Sequence, residues 1–262
     1  MFSKPIYVTI ESIESAKIFL RELVPSIKST HRTEAIARCL GFGSHAALTA
    51  SLKTENRRVV HIAPDTFVKF LRDRKHEVSM RVAYKLLAHL AILNVLEDNH
   101  KISTWGHGFG QPQRTKDRKY ETPTEQYQRF QRDRNELKST SVAESFMMCL
   151  PLLAEMNVTK TIRSGTGSYT LKHVAEKMPV LLPDDEVWTQ NYVSNGTLIA
   201  AAIYMGFKFK SYKDDRGYDH INVNFNMSKV TLDVVNVRVR PDSGRAQDAK
   251  RKTIRPQLGH YA

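Results

Sequence analysis

Two histidines, His173 and His220, are the residues of this sequence best suited to acid–base chemistry. An imidazole titrates near neutrality, so a pair can take and return a proton during cleavage of RNA without a metal. His220 follows Tyr218 and Asp219 and precedes Asn222, while His173 follows Lys172. Nothing near His173 in the sequence marks a group that would orient it. His100 and His107 are seven apart on a glycine-rich stretch, with no cysteine near them to complete a metal site. Hydrogen bonding is the expected role of that pair.

A second candidate is the run Arg163, Ser164, Gly165, Thr166, Gly167 and Ser168, with Lys172 after it. Glycines let backbone N–H groups approach a phosphate, and a helix start favours anions. The spacing fits neither the P-loop nor the dinucleotide fingerprint. A turn followed by a Ser168 helix cap is the alternative. The third candidate is a stretch in which aromatic and basic residues interleave: Trp105, His107, Phe109, Arg114, Lys116, Arg118, Lys119 and Tyr120. Cations neutralise phosphates while rings stack on unpaired bases. The following polar segment adds Arg129, Arg132 and Arg134. Glu125, Asp133 and Glu136 stand among them, so a solvated, salt-bridged helix face is the competing reading.

The elements that must position these groups are mostly helices. Residues 195–205 are apolar on every side, start at Ser194 or Asn195 and stop at Gly206, which predicts a short, fully buried helix. Apolar periodicity predicts further helices starting at Ser12, at Ser29 or Thr30, at Ser44 and at Asp65, and one over residues 80–96. His89 in the last of these reads as a hydrogen-bonded core residue. Thr124 would cap the polar helix. Ser141 with Glu144 has the form of a capping box before a helix that Pro151 kinks. Residues 207–212 and 218–225 alternate as strands around Asp-Asp-Arg-Gly, an antiparallel hairpin. Ser228 would cap a last helix. Residues 99–123 form the longest irregular stretch, a basic loop whose length marks it as functional. From Arg238 onward there is no apolar period, which predicts a flexible basic tail over 238–262.

Composition sets the class of partner. The apolar fraction, 41%, is ordinary, but the formal net charge is +13. Such an excess favours nucleic acid over other partners. It is uneven: residues 238–262 carry seven Lys and Arg against two Asp and Glu, whereas residues 139–237 carry nine against ten. Cys39 and Cys149 lie in apolar helical patterns as small buried hydrophobes, with no metal or disulfide spacing. No cofactor motif is present. The start of the chain lacks the build of a signal peptide and no apolar run is long enough for a membrane span, so a cytoplasmic protein is expected.

The run from His31 to Ala50, His-Arg-Thr-Glu-Ala-Ile-Ala-Arg-Cys-Leu-Gly-Phe-Gly-Ser-His-Ala-Ala-Leu-Thr-Ala, with the helical pattern before it, resembles the small helical module called glyoxalase-related. The resemblance covers about residues 12–52 and implies a packing module at the end of a bacterial protein. Glyoxalase chemistry itself needs His and Glu metal ligands on paired βαβββ units, for which this sequence has no set. The same run is similar to the second helix-turn-helix of AraC-type regulators at Ile36, Ala37, Leu40, Gly41, Phe42 and Ser44. In that motif the next helix enters the major groove. Here it carries His45, Ala46, Ala47 and Thr49, with no Arg or Gln to reach base edges. The remainder resembles uncharacterised bacterial proteins of the accessory genome, a setting of mobile genetic elements, in the stretches Gly-Thr-Gly-Ser-Tyr, Tyr-Val-Ser-Asn-Gly and Asn-Val-Asn-Phe-Asn-Met-Ser.

These readings predict a mainly α protein with a small antiparallel β-hairpin, an α+β fold. A helical module over 1–62 would precede a core over 63–237 and the tail. The expected function is a non-enzymatic nucleic-acid-binding accessory protein, DNA or RNA, within a larger nucleoprotein assembly. The alternatives are a metal-independent ribonuclease-like enzyme using His173 and His220, and a protein–protein adaptor.

Overall fold

The computed structural model describes the whole chain except Met1, Ser3, Arg163 and residues 182–186, 189–191 and 259–262, with backbone alone for 187–188 and 253–258. It is mainly helical, with small two-stranded antiparallel sheets. Ile6–Val8 (β1) pairs with Arg58–Val60 (β2), Ile6 opposite Val60. Between them lie Ile10–Leu23 (α1), Ser29–Cys39 (α2) and His45–Thr54 (α3). The first of these starts two residues before Ser12, because Thr9 and Ser12 cap each other reciprocally at 3.2 and 2.8 Å. Helix α2 follows Lys28 with no side-chain cap. Ser44 caps α3 as expected, accepting from the Ala47 N–H at 3.1 Å.

Pro64–Arg72 (α4) begins on proline, whose missing N–H has no role at that position, and not on an Asp65 cap. Met80–Asp98 (α5) is the spine, packing against α1, α4 and β1. His89, 2% exposed, bonds Ser15 Oγ at 2.9 Å and stacks on Phe19. Burial pushes its pKa down to about 4, so it is neutral at pH 7.

Ile102–Ser103 (β3) and Gly106–His107 (β4) form a tight hairpin, followed by Pro123–Glu136 (α6) and Thr140–Glu155 (α7). Helix α6 is capped by Thr122 and Glu125, two residues earlier than expected. Ser139 caps α7, and Glu144 serves a different purpose from the capping box foreseen for it. It accepts from Arg81 at 2.7 Å and Lys85 at 2.6 Å, tying α7 to α5. Pro151 lies within α7, which continues to Glu155.

Ser168–Ala175 (α8) precedes the pair Val180–Leu181 (β5) and Val187–Trp188 (β6). Asn195–Tyr204 (α9) is the buried helix foreseen, with Leu198, Ile199, Ala200, Ala201 and Ala202 all at 0% exposure. It packs between α5, α7 and α8. Ser194 caps it and Gly206, at φ +91°, follows its end. Phe209–Lys210 (β7) and Asn224–Phe225 (β8) form the expected hairpin, extended by a bridge between Lys213 and Asp219. The buried apolar cluster runs unbroken from Ile6 to Val235, so the first three helices share one core with the rest.

The C-terminal stretch differs from its reading as a flexible tail. Arg238 lies inside Lys229–Val239 (α10), and Gly244–Leu258 (α11) folds back on α10. Ser243 accepts from the Ala246 N–H at 3.2 Å, starting the helix, and Arg245 pairs with Asp233 at 2.7 Å. Ala246 is fully buried. The stretch lacks an apolar stripe, but it is rich in good helix formers (Ala, Gln, Lys, Arg), and the buried Ala246, the Arg245–Asp233 pair and a bond from Gln247 to Pro241 O at 3.1 Å help to fix it. Among the described residues, no helix is long and apolar enough to cross a membrane.

Candidate nucleic-acid interface

The tip of the β3–β4 hairpin is pinned from two distant parts of the chain. Asn195, at the start of α9, donates from Nδ2 to the carbonyls of Trp105 (3.1 Å) and Ile221 (2.9 Å). The Gly196 N–H reaches Thr104 O at 3.0 Å and the His107 N–H reaches Ile221 O at 3.0 Å. Two glycines permit this approach. A Cβ on Gly196 would lie 1.7 Å from Ser103 O, and one on Gly106 (φ +140°) 2.1 Å from Ile221 O. The backbones therefore touch, and Trp105 is held outward, 56% exposed.

A cavity of about 550 Å³ opens beside it. Trp105, Tyr169 and Tyr192 stand at its rim, and Ser145, Lys172, Asn195 and Asn222 line it. Tyr169 and Tyr192 are 56% and 68% exposed, far more than a large ring normally is. A second cavity, about 420 Å³, shares Trp105 and Ile221 with the first and includes Phe109, Arg129, Asp219 and His220. The two adjoin along the hairpin.

Lys172 brings positive charge to the first cavity. Only 6% exposed, it lies 5.3 and 5.1 Å from the ring centres of Tyr169 and Tyr192 and pairs with Glu176 at 3.3 Å. The other Glu176 oxygen meets His173 Nδ1 at 2.7 Å. Burial works to raise the Glu176 pKa, but bonds from His173 and the Val193 N–H and the charge of Lys172 outweigh it and hold the carboxyl below its ordinary value. His173 thus has an orienting partner that the sequence reading missed. The signal was present as i,i+3 spacing on one helix.

Among the described residues, these two cavities do not bring the two histidines together. His220 lines the second and accepts the Asn222 N–H at 3.1 Å, whereas His173 lines neither. The phosphate cradle also needs correction. Thr166 Oγ1 donates to Phe225 O at 2.8 Å, the Ser168 N–H donates to Val223 O at 2.8 Å, and Ser168 Oγ accepts from Val223 N at 3.2 Å. Gly167 bridges Asn224. The run is stitched to β8, so these groups are committed before any anion arrives. Ser164 and Gly165 remain exposed, and Arg163 lies outside the described residues. Ser168 is the first residue of α8 and not its cap.

The basic stretch 111–121 forms a small hairpin, closed by a bridge between Arg114 and Tyr120. Lys119 O accepts from the Thr115 N–H at 2.7 Å, and Arg118 turns the chain at φ +61°. Arg114, Lys116, Arg118 and Lys119 are all exposed. Arg129 has a different role from the one expected of it. It pairs with Glu121 at 2.9 Å and reaches the carbonyls of Phe109 and Gln111, fastening the hairpin to α6. That bond is the main cause holding the Glu121 carboxyl below its usual range. Phe109 is likewise an anchor, 4.7 Å from the Phe130 ring centre. Arg134 donates to the carbonyls of Leu96, Asn99 and Ile102, closing the end of α5. Arg132 is exposed on α6. His107 packs 5.5 Å from Phe209, and burial lowers its pKa.

Among the described residues, no three His, Cys, Asp or Glu side chains are grouped to hold a metal ion. Comparison of the chain with protein-family models, curated proteins and solved structures finds no match.

Proposed function

We propose that this chain is a nucleic-acid-binding accessory protein that holds unpaired stretches of a strand. One observation carries the reading. Three large rings, Trp105, Tyr169 and Tyr192, stand exposed around one cavity, while four exposed cations, Arg114, Lys116, Arg118 and Lys119, project from a hairpin rooted beside the adjoining one. Exposed rings are stacking platforms for bases, and exposed lysines and arginines are phosphate contacts. The exposed Arg132 extends the basic surface along α6. Association with a larger nucleoprotein assembly is consistent with this role. A second reading, cleavage without a metal, rests on the His173–Glu176 pair, which has the form of an imidazole set by a carboxylate.

The test replaces Trp105, Tyr169 and Tyr192 together by alanine. Stacking contributes about 1–3 kcal/mol per base, so single-strand affinity should fall about thirtyfold or more, with duplex affinity changed about twofold at most. Titration of labelled strands by anisotropy reads both. Equal losses on single strand and duplex would contradict the stacking role. Shortened strands in the wild-type reaction with EDTA present would favour cleavage instead.

A further inference from the structure

The seam where α2 packs on α4 carries a cluster of basic groups, none of which lines either cavity. His31 Nδ1 and His76 Nε2 share a hydrogen bond of 2.9 Å, joining α2 to the turn after α4. Lys28 and Arg38 lie on the His31 side of α2, three residues before it and seven after. Arg38 and Arg74 both stand over the Phe70 ring of α4, 5.7 and 3.6 Å from its centre. Arg74 gives one N–H to Phe70 O at 3.2 Å. Lys28, Arg38 and Arg74 are exposed, and among the described residues no carboxylate lies within ion-pair distance of them. Glu34, on α2 itself, accepts the His45 N–H at 3.1 Å. Asp73 and Glu77 flank the turn in sequence and are exposed. Cations gathered in this way repel one another, and an anion among them removes the repulsion.

We propose that Lys28, His31, Arg38, Arg74 and His76 form a second nucleic-acid contact, which takes backbone phosphates whether or not the bases are paired. It is separate from the stacking surface and does not depend on it. Guanidinium N–H groups match phosphate oxygens in pairs, and the ammonium adds a compact charge. The histidine pair couples the contact to a proton. With both rings neutral, the inner bond uses one donor and one acceptor, so one outer nitrogen of the pair carries a proton and the other is bare. One added proton gives both outer nitrogens an N–H and leaves the inner bond in place. Partial burial, then the charges of His76, Arg74 and Lys28, hold the His31 pKa below its ordinary value. Arg32 is turned instead to the Val24 and Pro25 carbonyls at the end of α1. A phosphate oxyanion beside the pair opposes those charges, so binding draws a proton onto the rings. The contact therefore tightens as the pH falls.

The experiment uses the full chain and a labelled DNA duplex. Lys28→Gln, Arg38→Gln and Arg74→Gln together should lower the slope of log K against log salt by about 2 to 3, at roughly 0.9 per phosphate, and weaken duplex binding about tenfold or more at low salt. Glutamine keeps part of each apolar stem, so the fold should survive. Wild-type duplex affinity should rise about threefold or more as the pH falls by about two units through the histidine range, and His76→Gln should flatten that rise. A measurement on the wild type needs no variant: saturating duplex should move the imidazole NMR signals of both His31 and His76. An unchanged salt slope in the triple variant, or imidazole signals unmoved by bound duplex, would overturn the proposal. Inorganic phosphate moving those signals where duplex does not would assign the cluster to a small phosphate compound and overturn it as well. If replacing Trp105, Tyr169 and Tyr192 leaves single-strand binding intact while the triple glutamine variant loses duplex affinity, this contact stands and the stacking reading falls.

Discussion

Replacing Arg114, Lys116, Arg118 and Lys119 together by alanine is expected to reduce the slope of log K against log salt by about 3. Each neutralised phosphate contributes roughly 0.7 to 0.9 to that slope, from release of condensed counterions. Four contacts therefore account for about a hundredfold change in affinity between 50 and 200 mM salt. The four side chains project from a hairpin whose own stability comes from backbone bonds and from the Arg129–Glu121 pair. Removing them should leave thermal unfolding unchanged. The loss should be uniform across sequences, since phosphate contacts carry no base information. Arg129→Ala should behave differently, loosening the hairpin and lowering stability. A hairpin charged only for solubility predicts the same slope for the quadruple variant and the wild type.

The second large effect is structural. Gly196→Ala should destabilise the chain by about 3 kcal/mol, because the new methyl would lie 1.7 Å from the Ser103 carbonyl. No flexible side chain can yield there, so α9 and the β3–β4 hairpin must part. That separation would break the Gly196–Thr104 and Asn195–Trp105 bonds that hold Trp105 at the cavity. The melting temperature should fall by about 6–10 °C, and single-strand binding should weaken further than the stability loss explains. Gly43 is the control: a Cβ there meets nothing within 4 Å, so Gly43→Ala should shift the melting temperature little. Equal melting temperatures for the two variants would mean that the hairpin does not rest on α9 so closely.

Where local pattern alone decides structure, the sequence was readable. The buried α9 announced itself by having no polar face, and the hairpin over 207–225 by alternation around a turn. Ser44, Ser194 and Ser228 cap as read, each accepting from the N–H three residues on. Caps went astray where two hydroxyl residues compete within a few positions, as at Thr9 and Ser12 or Thr122 and Thr124. Tertiary contact then chooses between them. The glycine run at 164–168 looked free because its partner, β8, lies more than fifty residues away. The C-terminal helix is held by contacts that no periodicity records, among them the buried Ala246 and the Arg245–Asp233 pair.

The site was legible only in pieces. Trp105, Lys172 and the basic hairpin stood out by residue type. Tyr169, Tyr192, Asn195 and Asn222 did not, since an isolated tyrosine or asparagine in sequence has no direction. What makes them a site is a meeting of segments 90 and 26 residues apart at the Asn195 amide. Arg129 and Phe109 show the opposite error. Their types suit nucleic acid, but the fold uses both to fasten the hairpin to α6.

The most direct measurement is the fluorescence of Trp105 itself. The chain has two tryptophans, Trp105 and Trp188, so Trp188→Phe isolates the signal. Trp105 is 56% exposed and should stack on an unpaired base when a single strand binds. Emission should be strongly quenched at saturation with a single strand and little changed with a duplex of the same length. Raising the salt should shift the midpoint of the titration without altering the final quench. Unchanged emission with the single strand fully bound would contradict the account.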